Sequence, residues 1–435
     1  MRHAILALNL LLALPLAAAA EDAQTSWPQW RGPDMSGTAP KADPPIRWSE
    51  TENVLWKRAI PGLGSGTPVV WGDRLYLTTA VGEAAQQTRE DGRAGLREAS
   101  GTQRFVVLAL DATTGETLWE RTVREQPPVD TTHPDGTWAS ASAATDGEHL
   151  FAFFGSHGVY CLTLEGEPVW EKDLGDMKTR NGFGEGSTPA LHGDRLVVQW
   201  DEEGPSFVAV LDKNTGEELW RRERDERTSW ATPLVVEVGG RAQAITSATN
   251  RVRGYDLESG ELIWEAEGMT ANAIPSPVHA GGRLFVTSGF RGNALLAIDL
   301  AKAKGDVTGS DAVAWSRDRD TPYVPSPLLY AGTLYFVKSN SGILSAVDAD
   351  TGEPRFGPER LEVKNVYASP IGAAGRVYVV GRDGDATVLR HGDALEVLAV
   401  NRLDDGFDAS PVAVGRTLFL RGRRHLYALQ EEPAE

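Results

Sequence analysis

Apolar residues recur at every second position in short runs along almost the whole chain. Leu75-Tyr76-Leu77, Leu284-Phe285-Val286, Leu334-Tyr335-Phe336 and Val377-Tyr378-Val379 are examples, each following a Gly-containing turn. Period two is the spacing of a half-buried strand; a helix would repeat at about 3.6 and would need longer runs. A second signature lies between the runs. Residues 109–119 read as a strand end, a tight Asp-x-x-Thr-Gly turn and a new strand carrying Trp119. Residues 210–220 and 254–264 repeat the pattern, ending on Trp220 and Trp264, and residues 346–356 repeat it with Phe356 in place of Trp. Asp at the turn start can cap backbone N–H groups, and Gly supplies the positive φ of a tight connection.

A third marker keeps phase with the second: a small hydroxyl residue before Pro, then Gly-x-Arg or Gly-x-Thr and apolar alternation. It occurs at Thr67-Pro68, Thr188-Pro189, Thr232-Pro233, Ser276-Pro277, Ser326-Pro327, Ser369-Pro370 and Ser410-Pro411, with a degenerate copy at Ser142-Ala143. From Pro189 to Pro411 the prolines lie 44, 44, 50, 43 and 41 residues apart. Four short strands per such unit, with turns between, is the pattern of a propeller blade. The markers count eight units, and the last has room for only three strands. A stray Trp-bearing run at residues 54–60, around Trp56, supplies the fourth, so the N-terminal strand should close the last blade and remove the open sheet edges. The sequence thus predicts an all-β, eight-bladed propeller with four-stranded blades over residues 46–430. Trp56, Trp119, Trp170, Trp220, Trp264, Trp315 and Phe356 are the expected docking residues between radially packed blades, where an indole can bury most of its area.

Other segments fall outside the repeat. Residues 1–20 read as a cleaved secretory signal: Arg2 and His3, an apolar run, then Ala18-Ala19-Ala20 before Glu21. Residues 21–45 form a Pro/Gly-rich arm containing Trp27-Pro28-Gln29-Trp30-Arg31-Gly32-Pro33, expected to lie over something apolar, and residues 431–435 a disordered tail. Residues 82–104, charged and Gly/Ala-rich, are expected to be a mobile loop. A second long loop spans 124–138, and the unit after it replaces the Asp-x-x-Thr-Gly turn with Leu164-Glu165-Gly166.

Charge narrows the function classes. With 43 basic and 61 acidic residues the formal charge is −18, which argues against a phosphate-backbone binder and against adsorption to anionic lipid. The lone Cys161 forms no internal disulfide, so stability must come from packing. No Cys follows the leader, which argues against a lipid anchor there. These features point to a periplasmic or secreted monomer without a membrane span.

The recurrent Ala-x-Asp-x-x-Thr-Gly-x-x-x-Trp stretch resembles the tryptophan-docking motif of the pyrroloquinoline-quinone-like (PQQ-like) eight-bladed propellers. The resemblance covers residues 46–429, and the Trp27 to Pro33 segment is similar to the start of secreted bacterial members. It implies one of two functional kinds. Some members are quinoprotein dehydrogenases that oxidise alcohols or sugars with PQQ and Ca²⁺ at the propeller axis. Others are non-enzymatic scaffolds such as the BamB assembly factor. Many such dehydrogenases stack the quinone on a disulfide between adjacent cysteines, which a single Cys cannot supply. The sequence offers no match to their Glu/Asn/Asp calcium set and no catalytic residue to carry over.

Propeller ligands sit at one mouth of the axial channel, on the loops entering the innermost strands. Here those loops bring His133, Trp138, Arg180, Asn181, Glu185, Arg227, Trp230, Asn272, Tyr323, Asn365, Tyr367 and Asp408. Aromatics, amides and charges on one rim suit a polar small molecule or an extended peptide. Trp138 and Trp230 are extra to the one-per-blade Trp. Asp201 and Glu202, with Glu185, form a candidate oxygen-ligand set for a cation. His133 and His157 lie in loops of one unit without partners at metal-ligand spacing. The reading is a binding or scaffolding module for a protein, peptide or carbohydrate ligand; the alternative is a PQQ- and Ca²⁺-dependent dehydrogenase, the only reading that brings in a cofactor.

Overall fold

The computed structural model describes residues 26–88 and 94–431; the expected leader (1–20), residues 21–25 and the tail beyond residue 431 lie outside the described residues. Eight four-stranded antiparallel sheets form the blades. Blade 1 runs from Val69–Trp71 at the inner edge to Thr117–Gln126 at the outer edge, blade 2 from Ala144–Thr145 to Pro168–Lys172, blade 3 from Ala190–His192 to Glu218–Arg224 and blade 4 from Leu234–Val238 to Leu262–Ala266. Blades 5, 6 and 7 start at Val278–Ala280, Leu328–Tyr330 and Ile371–Ala373 and end at Val313–Arg317, Pro354–Asn365 and Val397–Arg402. Blade 8 holds Val412–Val414, Thr417–Arg421 and His425–Leu429, and its outer strand is Val54–Ala59 from the other end of the chain, with Trp56 opposite Ala428. The closure expected from the counting is therefore the observed one.

The joints explain the motif. At the regular joints the indole of an outer-strand Trp reaches the turn of the next blade. Its Nε1–H donates to the carbonyl one residue past the turn's first position: Trp56 to Ala112, Trp170 to Lys213, Trp220 to Leu257 and Trp315 to Ala349, at 2.8–3.1 Å. The turn's Gly lies under the ring. A Cβ on Gly115, Gly216, Gly260 or Gly352 would come within 2.6–2.7 Å of the Trp it receives, and all four have φ between 69° and 75°. The turn's Asp holds the loop, with the Asp111 carboxylate accepting from the Thr113 and Thr114 N–H groups at 2.9 and 2.7 Å. Trp of one blade and Asp-x-x-Thr-Gly of the next are two halves of one joint.

Departures in one half match departures in the other. Blade 2 keeps only Gly166, and Trp119 still docks there, donating to Leu164 O at 3.0 Å. Blade 7 has no such turn, and the residue facing it is Phe356. Blade 5 replaces the turn with an insertion, so Trp264 has no receiver: its indole N–H turns into its own blade, to Gln243 Oε1 at 3.0 Å over Gly254. Trp264, expected to dock between blades, thus hydrogen-bonds within its own blade, and inserted Gly305–Asp306 adds a parallel fifth strand on the outer edge of blade 4. At the junction of blades 7 and 8, where the turn is interrupted by the chain ends, buried Trp48 fills the space and its backbone N–H donates to Asn401 Oδ1.

Two segments outside the repeat are ordered. The arm lies across the inner strands: Trp27, fully buried, pairs with Val70 of blade 1, Pro28 O accepts from Thr145 of blade 2, and Gln29 Oε1 accepts from Leu191 of blade 3. Thr38–Ala39 then pairs parallel with the inner strand of blade 7. Arg31 donates to Pro327 O (2.7 Å), Ser36 O (2.8 Å) and Pro370 O (3.4 Å), so the arm crosses the axis from blades 1–3 to blades 6 and 7. The loop expected over 82–104 is corrected in its described residues, which carry a pair of strands. Ala84–Thr88 pairs with Ala94–Ala99, and Gln103 already begins the third strand of blade 1. Composition missed this because a polar hairpin needs only backbone pairing and a surface to lie on, here the 124–138 loop: Arg97 and Thr132 exchange two backbone hydrogen bonds.

Candidate functional site

The Ser/Thr before each Pro proves to be a structural ring. The backbone N–H of each donates to the hydroxyl of its counterpart in the next blade: Thr67 to Ser142, then Thr188, Thr232, Ser276, Ser326, Ser369, Ser410, and from Ser410 back to Thr67. The eight bonds span 2.8–3.1 Å and close on themselves. All eight residues are buried. A buried N–H without an acceptor is costly, and the hydroxyl of the next blade supplies one. The following Pro has no N–H to offer and sits where an inner-edge strand needs none. Among the described residues none of the eight hydroxyls gives its own proton to a protein acceptor, so each keeps a free O–H.

These hydroxyls line an axial cavity of about 260 Å³. Trp30 of the arm lines it as well, its ring 5.7 Å from the Arg31 guanidinium. The wall and mouth are set by the entering loops, which contribute Phe183, Trp230, Tyr323, Tyr367, Asp135, Glu185 and Asp408. No Lys or Arg lines it.

The expected 124–138 loop, whose first three residues instead end the blade 1 outer strand, spans the mouth. His133 N–H donates to Phe183 O, and Arg97 donates to Gly136 O and Pro134 O. At its far end Asp135 meets blade 7, accepting from Arg382 at 2.6 Å and from Tyr367 Oη at 3.0 Å. Arg382 also bonds Asp408 at 2.5 Å, lies over the Tyr367 ring at 4.1 Å, and shares Asp408 with Arg423. Burial alone would raise the Asp135 carboxyl, but the Arg382 and Tyr367 contacts hold it below its usual range. Burial pushes Glu185 up to about 7, although its oxygens accept from Ser156 N (2.8 Å) and Oγ (2.5 Å).

Of the expected rim residues, His133, Glu185, Trp230, Tyr323, Tyr367 and Asp408 converge on the cavity. The others do not. Trp138 is buried in the core between blades 1 and 2, its Nε1–H on Asp130 O. Arg180 binds Asn272 Oδ1, Asn181 and Arg227 are exposed, and Asn365 ends the blade 6 outer strand. The cation set does not assemble: Glu185 is held by Ser156, Asp201 by Ser229 and Gln199, and Glu202 caps the Lys178 N–H. Among the described residues no group of three or more His, Cys, Asp or Glu is placed to hold a metal ion. His157 is a core residue stacked 4.0 Å from Phe105, and burial lowers it to about 4. Sequence reasoning missed Asp135, Phe183 and Arg382 as site residues, and for Trp30 it preferred packing in the arm to a ligand-stacking lip. The in-phase hydroxyls were visible, and the signal left unused was that every unit keeps one.

A family model described as outer membrane protein assembly factor BamB matches residues 103–357 and 206–433. The outer membrane protein assembly factor BamB of Yersinia pestis is 23% identical over 337 residues, covering 73% of this chain and 78% of that protein. Among solved structures, BamB from Moraxella catarrhalis superposes with a TM-score of 0.55 at 14% identity, over 82% of this chain and 99% of that one. The quinohemoprotein alcohol dehydrogenase of Comamonas testosteroni gives a TM-score of 0.61 at 11% identity, over 97% and 85%.

Proposed function

The chain belongs to the family of the outer membrane protein assembly factor BamB, and from that premise we propose that it is a non-catalytic binding and scaffolding module for a protein partner in outer-membrane protein assembly. It works as a monomer in the periplasm. The family match over most of the propeller carries this reading. The described residues contain no helix long and apolar enough to cross a membrane.

The dehydrogenase alternative meets an obstacle in the cavity wall. PQQ carries three carboxylates. The cavity offers no free cation: no Lys or Arg lines it, Arg382 and Arg423 are taken by Asp135 and Asp408, and Arg31 beside Trp30 is already used by three backbone carbonyls. Burying a polyanion without a cationic partner is unfavourable. Cys161 is buried in the core joining blades 2 and 3, with its thiol pushed up to about 12 by burial. The residues present do not suit that quinone.

The test is deletion of the gene in its host combined with crosslinking of a tagged chain in the periplasm. The expected result is a fall in folded, heat-modifiable outer-membrane proteins and a crosslink to a component of their assembly. Unchanged outer-membrane protein folding in the deletion strain would overturn the proposal, as would dye-linked alcohol oxidation after addition of PQQ and Ca²⁺.

A further inference from the structure

We propose that the axial cavity is a binding site for a neutral sugar, of mono- to disaccharide size, held by the hydroxyl belt, the acidic wall and the aromatic side chains that surround them. This goes beyond the scaffold reading and does not rest on it.

Three features of the cavity select the ligand. The first is the belt. Eight buried hydroxyls each accept one backbone N–H and keep an O–H free, so the cavity presents a circle of donors at one level. Such hydroxyls can also accept through their remaining lone pair. The second is the acceptor set. Asp135, Glu185 and Asp408 add carboxylate oxygens, each able to take more hydrogen bonds than its protein partners supply. The charges of Asp135 and Asp408 are already balanced by Arg382 and Arg423. The wall therefore asks for hydroxyl donors rather than for a cation, and it offers an anion no free Lys or Arg. The third is the aromatic set. Trp30, Trp230, Tyr323, Tyr367 and Phe183 line the same space, and Trp230 is fixed by its Nε1–H on Gly184 O at 2.7 Å.

A pyranose has hydroxyls around its edge and a face of C–H groups, whose slight positive charge suits the negative face of an aromatic ring. Donors, acceptors and aromatic faces in one concave site, with charge already balanced, match that molecule. A lipid chain would leave the belt unpaired, and a polyamine would find two of the three carboxylates already committed to arginine. The volume of about 260 Å³ admits one or two sugar rings rather than a longer chain.

The test uses the full mature chain with D-glucose, D-galactose, N-acetyl-D-glucosamine, maltose and trehalose as probes, read by saturation-transfer NMR, calorimetry and tryptophan fluorescence. At least one probe is expected to bind with Kd between about 10 μM and 1 mM and to change the fluorescence. Trp230→Ala should weaken it by about tenfold or more. Tyr323→Phe removes only a hydroxyl at the rim, keeps the fold, and should weaken it by a smaller but measurable factor. Failure of every probe to bind overturns the proposal. So does binding that both variants leave unchanged, which would put the sugar elsewhere, and so does tighter binding of PQQ or spermidine, used as charged controls. The partner crosslinks of the scaffold reading are read separately, so either proposal can fail alone.

Discussion

The perimeter and the axis of this propeller are both built from a repeated inter-blade contact, yet only one of the two repeats is unbroken. At the perimeter, blade 4 presents Trp264 without a receiving turn, blade 6 presents Phe356, and Trp48 from the entering segment stands in between blades 7 and 8. At the axis, all eight blades keep the hydroxyl, including blade 2, where Ser142 survives although the Pro after it is lost. The difference follows from what each contact answers. The perimeter joint fills a gap, and any apolar group of suitable shape can fill it. The axial contact gives a buried N–H its acceptor, and only an oxygen in the right place will do.

The largest effect should come from breaking the perimeter where the ring closes. Trp56 is buried, donates to Ala112 O and rests on Gly115. Trp56→Ala should cost about 3–5 kcal/mol, the range for emptying a buried aromatic site. Thermal or denaturant unfolding would measure it. A loss below about 1 kcal/mol would mean that the closing strand is not held by this joint.

A pair of glycines separates the joint from backbone conformation. Gly260 and Gly305 have φ of 70° and 66°. A Cβ at Gly260 would stand 2.6 Å from the Trp220 ring, whereas at Gly305 nothing lies within 4 Å. Both Ala variants incur the left-handed penalty of about 1–2 kcal/mol. Gly260→Ala should lose about 1–3 kcal/mol more, because the Trp220 ring must move. Equal losses at the two positions would show that the turn glycines serve only the turn.

Much of this was readable from the chain. The eight blades, the closing strand and the docking tryptophans follow from alternation and repeat spacing, because each is a local pattern copied several times. The matching of Trp to the next blade's turn was hidden, since it joins residues of different repeats, such as Trp220 and Gly260. The site was half legible. Trp230, Tyr367 and Asp408 were recognised as departures from the repeat on entering loops. Asp135 and Arg382 were not, because their meeting depends on the 124–138 loop reaching blade 7 past blade 8, a path that no local pattern encodes. Trp30 was placed in an arm, but that the arm crosses the axis depends on Arg31 finding carbonyls about 300 residues away.

The axial ring can be broken at one link. Ser276→Ala removes the acceptor of the buried Thr232 N–H. The expected loss is about 1–3 kcal/mol, the cost of leaving one buried donor unmade, and Ser276→Thr should restore most of it. If Ser276→Ala is neutral, the perimeter joints alone hold the ring and the unbroken hydroxyl repeat has another cause.

The smallest effect tests the cavity wall, and it is read against pH. Glu185 holds its proton more tightly in the folded state, near 7 against about 4.5 when unfolded. The folded protein therefore binds more protons than the unfolded chain between those values, and Glu185 makes stability fall as pH rises from about 4.5 to 7. His157 acts in the opposite sense. It is held near 4 in the fold against 6.5 in the open chain, so its contribution to stability is lost as pH falls through that window. The two slopes partly cancel in the native protein. Glu185→Gln removes only the falling one. Relative to the native chain, the variant should gain about 1–2 kcal/mol on going from pH 4.5 to pH 8, less than the full shift implies because Glu185 keeps contact with solvent in the cavity. A constant difference between the two proteins across that range would mean that Glu185 is ionised in the fold as it is in water. The acidic wall would then present three charged carboxylates instead of two.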